Sequence, residues 1–169
     1  IDSEINFKNL INSLNTIAEV YGYPIIVSTH PRTMKKIENL EEIVINSKIN
    51  FMKPLGFFDY NKLQMNSFVV LSDSGTISEE SSILNFRAVN IRETHERHEA
   101  MEESSVIMTG LDIERIVQAI ESLKSQEIGN ERNILEVQDY KVPNISIKIE
   151  RIIISYINYV NRVIWQKES

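Results

Sequence analysis

Residues 68–85 read Phe68-Val69-Val70-Leu71-Ser72-Asp73-Ser74-Gly75-Thr76-Ile77-Ser78-Glu79-Glu80-Ser81-Ser82-Ile83-Leu84-Asn85. An apolar, β-branched run stops at an abrupt polar turn, Ser72-Asp73-Ser74-Gly75, and a helical stretch over 76–84 follows, so the segment is a β-turn-α unit. The same alternation extends to both sides. Upstream, Ile5, Leu10, Ile11, Leu14, Ile17, Ala18 and Tyr21 recur at helical spacing from Ser3, with Gly22 placed where a helix stops. A strand over 25–28 ends in polar Thr29-His30-Pro31-Arg32, followed by a helix over 33–40, a weaker strand over 48–52, a turn at Pro54-Leu55-Gly56 and a short helix over 60–65. Downstream come strands at 88–91 and 106–108 and a helix over 111–124 with Ile113, Ile116, Val117 and Ile120 on one face. Strands alternating with helices imply an α/β fold: a Rossmann-like parallel sheet with helices on both faces.

Length and composition agree with one domain over residues 1–169: the chain has 169 residues, 42% hydrophobic and 25% charged. The net charge is -6 and the bases are scattered, which excludes the basic stripe of a nucleic-acid binder. With no cysteine there is no disulfide, thiolate nucleophile or thiolate metal site, and His98 with its flanking glutamates matches no metal-ligand spacing. Nothing argues for secretion, and the expectation is a cytoplasmic protein. After a polar link over 125–133 a long terminal helix is expected at about 145–166, interrupted by Lys148, Glu150, Arg151, Asn158, Asn161 and Arg162 and so unsuited to crossing a bilayer. Its isoleucine and tyrosine stripe reads as core or a subunit contact. The chain opens on Ile1-Asp2-Ser3-Glu4, with no signal-peptide pattern, and reads as a piece of a longer protein.

In an open parallel sheet, ligands bind beyond the carboxyl ends of the strands. That rule collects His30 and Arg32, the turn 73–76, and Arg92-Glu93-Thr94-His95-Glu96-Arg97. The turn opens a helix, whose free N–H groups and positive dipole end suit a phosphate, and Gly75 lets an anion approach the backbone. The alternative is plain capping, with Thr76 and Glu79 forming a capping box. Glu80 lies one to two turns into the helix, roughly 6–9 Å along its axis, a reach suited to a ribose beside a phosphate; the alternative is a solvated glutamate. His30 and Arg97 add candidate donors, Arg97 being able to make a bidentate contact.

Residues 71–82, together with Asn90-Ile91-Arg92-Glu93-Thr94-His95-Glu96-Arg97, resemble the non-hydrolysing UDP-N-acetylglucosamine 2-epimerases. His30, Pro31 and Arg32 resemble that family's histidine loop, and Met52-Lys53-Pro54-Leu55-Gly56-Phe57 its uracil-side loop. Thr76, the Glu80-Ser81-Ser82-Ile83 run and the closing Ser155-Tyr156 to Trp165 segment are most similar to the branch that makes UDP-N-acetyl-L-fucosamine for bacterial surface polysaccharides. The resemblance implies the C-terminal half of a two-domain glycosyltransferase-B-like fold. It implies that Ser74, Gly75 and Thr76 bind the diphosphate and Glu80 the ribose, that Tyr60 lies against the uracil with Leu55 offering backbone contacts, and that His30 and Arg97 serve the phosphate and sugar side as leaving-group stabilisers. It implies no NAD or metal, a UDP-sugar as substrate, a homodimer when full-length, and catalytic acids in the absent half. Arg87 and His98 stand where the family usually has proline, which is expected to loosen the lead into the fourth strand and the loop holding Arg97. Two rivals share parts of the pattern: the donor-nucleotide domain of a B-fold glycosyltransferase, and a receiver-like signalling module with Asp73 at the end of its third strand. Against the second, His30 and Thr109-Gly110 stand where a receiver has paired acids and a lysine.

Overall fold

Each apolar period noted in the sequence becomes an element, beginning with helix α1 (Glu4–Tyr21), which ends at Gly22 in the left-handed region, φ 73°. The computed structural model describes residues 4–38, 44–94 and 97–167. Strand β1 (Ile25–Ser28) leads to α2 (Pro31–Glu38), β2 (Ile49–Met52) to α3 (Phe57–Asn66), β3 (Val70–Ser72) to α4 (Ile77–Leu84) and β4 (Ala88–Asn90) to α5 (His98–Glu102). Strand β5 (Ile107–Met108) and helix α6 (Ile113–Leu123) complete the alternation. The fold is α/β with all strand pairs parallel. Helix α2 starts two residues earlier than expected because Pro31 fits the first helical position, and residues 39–40 of the expected helix lie outside the described residues. Helix α5, only five residues long, was not expected.

The sheet differs from the single one expected. Hydrogen bonds form two ladders, β1-β2 and β3-β4-β5. The first pairs Ile25 with Ile49 through Ser28 with Met52; the second pairs Val70 with Ala88 and Val89 with Ile107. Strand β3 begins only at Val70, and the preceding Phe68 is taken up by the rings of Tyr21 and Tyr23, at 5.7 and 5.2 Å between centroids. Apolar packing nevertheless spans both ladders, since Leu10 of α1 and Ile25 of β1 flank two of the core clusters.

The three-stranded ladder is covered on both faces. On one side Val89 and Ile91 pack with Ile17 of α1 and Ile116, Ile120 and Leu123 of α6; on the other, Ala88 packs with Ile77 of α4, Phe86 and Val106. All of β4 is buried, as a central parallel strand requires. Full burial of a side chain such as Phe86, which has no exposed surface, contributes about 1.5–3 kcal/mol.

Arg87 does the opposite of loosening the lead into β4. Its Nη2 donates to the carbonyls of Lys124 (3.3 Å) and Gln126 (2.8 Å) at the end of α6, and its guanidinium lies 6.0 Å from the Phe68 ring centre. A cation on the last carbonyls of a helix also complements the dipole there. His98 is the first residue of α5, the position where proline is favoured, and the helix forms without it.

The chain divides into two compact units, Ile1–Val137 and Gln138–Ser169. The second holds a 3₁₀ turn (Gln138–Lys141), helix α7 (Ile145–Tyr159) and a wide π turn (Val160–Ile164) in place of the last turn of the expected helix. No residue of α7 is buried, so its isoleucine and tyrosine stripe forms no core within its own unit.

Candidate functional site

The carboxyl end of β3 runs into a turn whose hydroxyls are hydrogen-bonded among themselves. Ser72 Oγ accepts from the Ser74 amide at 3.1 Å, Ser74 Oγ accepts from the Thr76 amide at 3.3 Å, and the Ser74 and Thr76 hydroxyls meet at 2.9 Å. Thr76 occupies the cap position of α4 but makes no side-chain cap. Its hydroxyl donates to Glu80 Oε1 at 2.9 Å and accepts from no helix amide, and the capping box with Glu79 is not formed. The start of α4 is therefore weakly satisfied: the Ile77 and Ser78 amides reach the carbonyls of Ser74 and Gly75 only at 3.5 and 3.4 Å. Among the described residues the Gly75 amide has no acceptor. An uncapped helix start with a glycine at its mouth is what an incoming anion needs.

The two glutamates of α4 point to different tasks. Glu80, half-buried, accepts on Oε1 from Thr76 and on Oε2 from Gln64 Nε2, the latter at 2.6 Å. Gln64 stands on α3 beside Tyr60, whose phenol is pushed above its ordinary pKa by burial first and then by the Glu80 and Asp73 charges, against a hydrogen bond from Gln64 that lowers it. Tyr60 is thus a neutral donor throughout the physiological range. Glu79 turns the other way and accepts from Arg97 Nε at 2.7 Å. Sequence reasoning missed Gln64, which belongs to no recognisable spacing, and read Glu79 only as a capping-box partner of Thr76, because each acts across space on a residue of another element.

Hydrogen bonds therefore connect Ser74, Thr76, Glu80 and Gln64, with Gly75 in the same turn, Arg97 held one residue away by Glu79, and Tyr60 on the same helix as Gln64. His30 and Leu55 stand elsewhere, at the carboxyl ends of β1 and β2 in the other ladder. His30 is exposed and its carbonyl accepts from the Thr33 and Met34 amides to start α2; Leu55 is half-buried in the turn before α3. The side chain of Arg32 and all of His95 and Glu96 lie outside the described residues.

Residues 1–154 match the family described as UDP-N-acetylglucosamine 2-epimerase. Relatives of that name from Methanocaldococcus jannaschii and Methanococcus maripaludis are 30% identical over 130 residues and 35% identical over 127 residues, covering 75% and 73% of this chain but 36% and 35% of their own. The solved UDP-N-acetylglucosamine 2-epimerase from Rickettsia bellii is 47% identical, with a TM-score of 0.84 over 98% of this chain and 45% of that one. The M. jannaschii enzyme crystallised with UDP-GlcNAc and UDP is 28% identical, with a TM-score of 0.76 over 92% of this chain and 42% of that one. The chain thus spans between a third and a half of the length of these proteins, and its fold is glycosyltransferase-B-like. On the match over residues 1–154, the chain belongs to the UDP-N-acetylglucosamine 2-epimerase family.

Proposed function

We propose that this chain is the UDP-holding, C-terminal half of an enzyme that inverts C2 of a UDP-linked 2-acetamido sugar. The reaction removes the C2 proton, breaks the bond from C1 to the diphosphate oxygen with the electron pair leaving on UDP, and reverses both steps with the proton delivered to the opposite face of the glycal. The observation that carries this reading is the uncapped start of α4, with the Gly75 amide open and the Glu80 carboxylate fixed within the same helix. Ser74, Gly75 and Thr76 receive the diphosphate and Glu80 the ribose. Tyr60 and Leu55 flank the uracil, and His30, Arg32 and Arg97 serve the phosphate and sugar side. Donors held in advance stabilise UDP as a leaving group and keep it placed for re-addition.

The same reading extends to the whole protein. The carboxylates that move the C2 proton belong to the half this chain lacks, so the chain by itself has no epimerase activity. Full-length protein works as a cytoplasmic homodimer and needs no NAD or metal, and its reaction either interconverts UDP-GlcNAc and UDP-ManNAc or forms UDP-N-acetyl-L-fucosamine, for a bacterial surface polysaccharide such as capsule or O-antigen.

An amide chemical-shift titration with UDP, and with ADP as control, tests the binding role. Shifts confined to the loops around His30, Tyr60, residues 74–80 and Arg97, weaker for ADP, are expected. Equal responses to the two nucleotides, or none at millimolar UDP, would overturn it.

A further inference from the structure

Helix α3 is inside out. Its one buried residue is Gln64, 3% exposed, while Phe57, Phe58, Leu63 and Met65 of the same helix are exposed. A buried polar residue beside exposed aromatics is the informative departure from ordinary burial. The Gln64 amide is also used unevenly: Nε2 donates to Glu80 Oε2, whereas Oε1 is buried with no partner among the described residues. A methionine or leucine would fill the same space without an orphan carbonyl, so packing does not account for a glutamine here.

What the glutamine does is fix a carboxylate. Glu80 receives one donor on each oxygen, Thr76 at 2.9 Å and Gln64 at 2.6 Å, which sets the plane of the group and leaves further lone pairs on both oxygens. Two accepting oxygens in a fixed plane are what a vicinal diol requires for a pair of parallel hydrogen bonds. We propose that Gln64 is a positioning residue, holding the Glu80 carboxylate in the orientation that receives the ribose diol of UDP. This rests on the placement of the ribose at Glu80 given above.

The test titrates UDP, 2′-deoxy-UDP and inorganic pyrophosphate into the full chain, wild type and Gln64→Met, with Glu80→Gln alone and combined. Wild type is expected to prefer UDP over 2′-deoxy-UDP. Gln64→Met is expected to weaken UDP by about five- to ten-fold, the scale of one charge-assisted hydrogen bond, to change 2′-deoxy-UDP and pyrophosphate far less, and to add little in the Glu80→Gln background. Gln64→Asn, which keeps the donor, should recover part of the loss. Equal weakening of all three ligands, or a ribose preference that survives Gln64→Met, overturns the proposal while the nucleotide reading stands. A wild type blind to UDP overturns both. Where Gln64→Met fails to fold, the side-chain amide resonances of Gln64 in the wild type decide: a response to UDP but not to pyrophosphate supports the proposal, and the same response to both defeats it.

Discussion

Glu79 and Glu80 are neighbours in the chain and separate in function, because successive helical residues face about 100° apart. Glu79 holds Arg97 at 2.7 Å, with both side chains about a third exposed (30% and 33%). Such a pair contributes roughly 0–1 kcal/mol to stability, so its value lies in aiming the guanidinium. Glu79→Gln is expected to weaken UDP by about five-fold while moving the urea midpoint little; unchanged affinity would sink the idea. Arg87 behaves in the reverse manner, being structural and remote from the nucleotide. Losing its contacts with the Lys124 and Gln126 carbonyls costs about 1–2 kcal/mol. A proline there regains only about 0.4–1 kcal/mol through the unfolded chain. Arg87→Ala and Arg87→Pro should therefore both lower the urea midpoint and leave the UDP response intact. A higher midpoint for the proline variant would show that the side chain anchors nothing.

Two helix starts show what a sequence discloses about elements. Asp112 caps α6 through the Glu114 and Arg115 amides, at 3.0 and 3.1 Å, in a pattern that is entirely local. Asp112→Ala is expected to cost about 1 kcal/mol, read as a fall in the denaturation midpoint with no change in UDP binding. Thr76 has equally good local credentials, with Glu79 three residues on, and does not cap α4: its backbone is already helical, φ -68° and ψ -11°, where a cap residue is extended, and its hydroxyl donates to Glu80. The strands and the helices α1 and α6 were legible because burial imposes their period, and the Ser74–Gly75–Thr76 turn because it ends an apolar run. Helix α5 was not, since five residues carry too little periodicity, and neither was Gln64, whose role exists only once α3 lies against α4. The division of the strands into two ladders was equally hidden, since nothing local in the sequence marks which strands exchange hydrogen bonds.

At the scale of the molecule, α1 and α6, packed together through Ile17, are also tied at the end of the fold opposite the strand carboxyl ends by the Tyr21 phenol. Tyr21 donates to Glu121 Oε1 at 2.9 Å, Lys124 Nζ lies 2.7 Å from the same carboxylate and 5.4 Å from the centre of the Tyr21 ring. Burial, then the hydrogen bond and charge of Glu121, push the Tyr21 pKa from 10.0 up to about 12. Folding therefore favours the protonated phenol: its contribution is complete below pH 10, where both states keep the proton, and is lost as pH rises from 10.0 to about 12, where the unfolded chain releases the proton first. Glu121 adds the opposite limb, because the Lys124 and Tyr21 hydrogen bonds lower its pKa below 4.5, so its share is present above that value and lost as acid protonates it. The expected outcome is that Tyr21→Phe flattens the alkaline fall in stability between pH 10 and 12, seen in urea midpoints across that window, while the midpoint at neutral pH drops slightly with the lost solvent-exposed hydrogen bond. An alkaline limb of unchanged steepness in Tyr21→Phe would assign the pH dependence to some other group and release α1 and α6 from this tie.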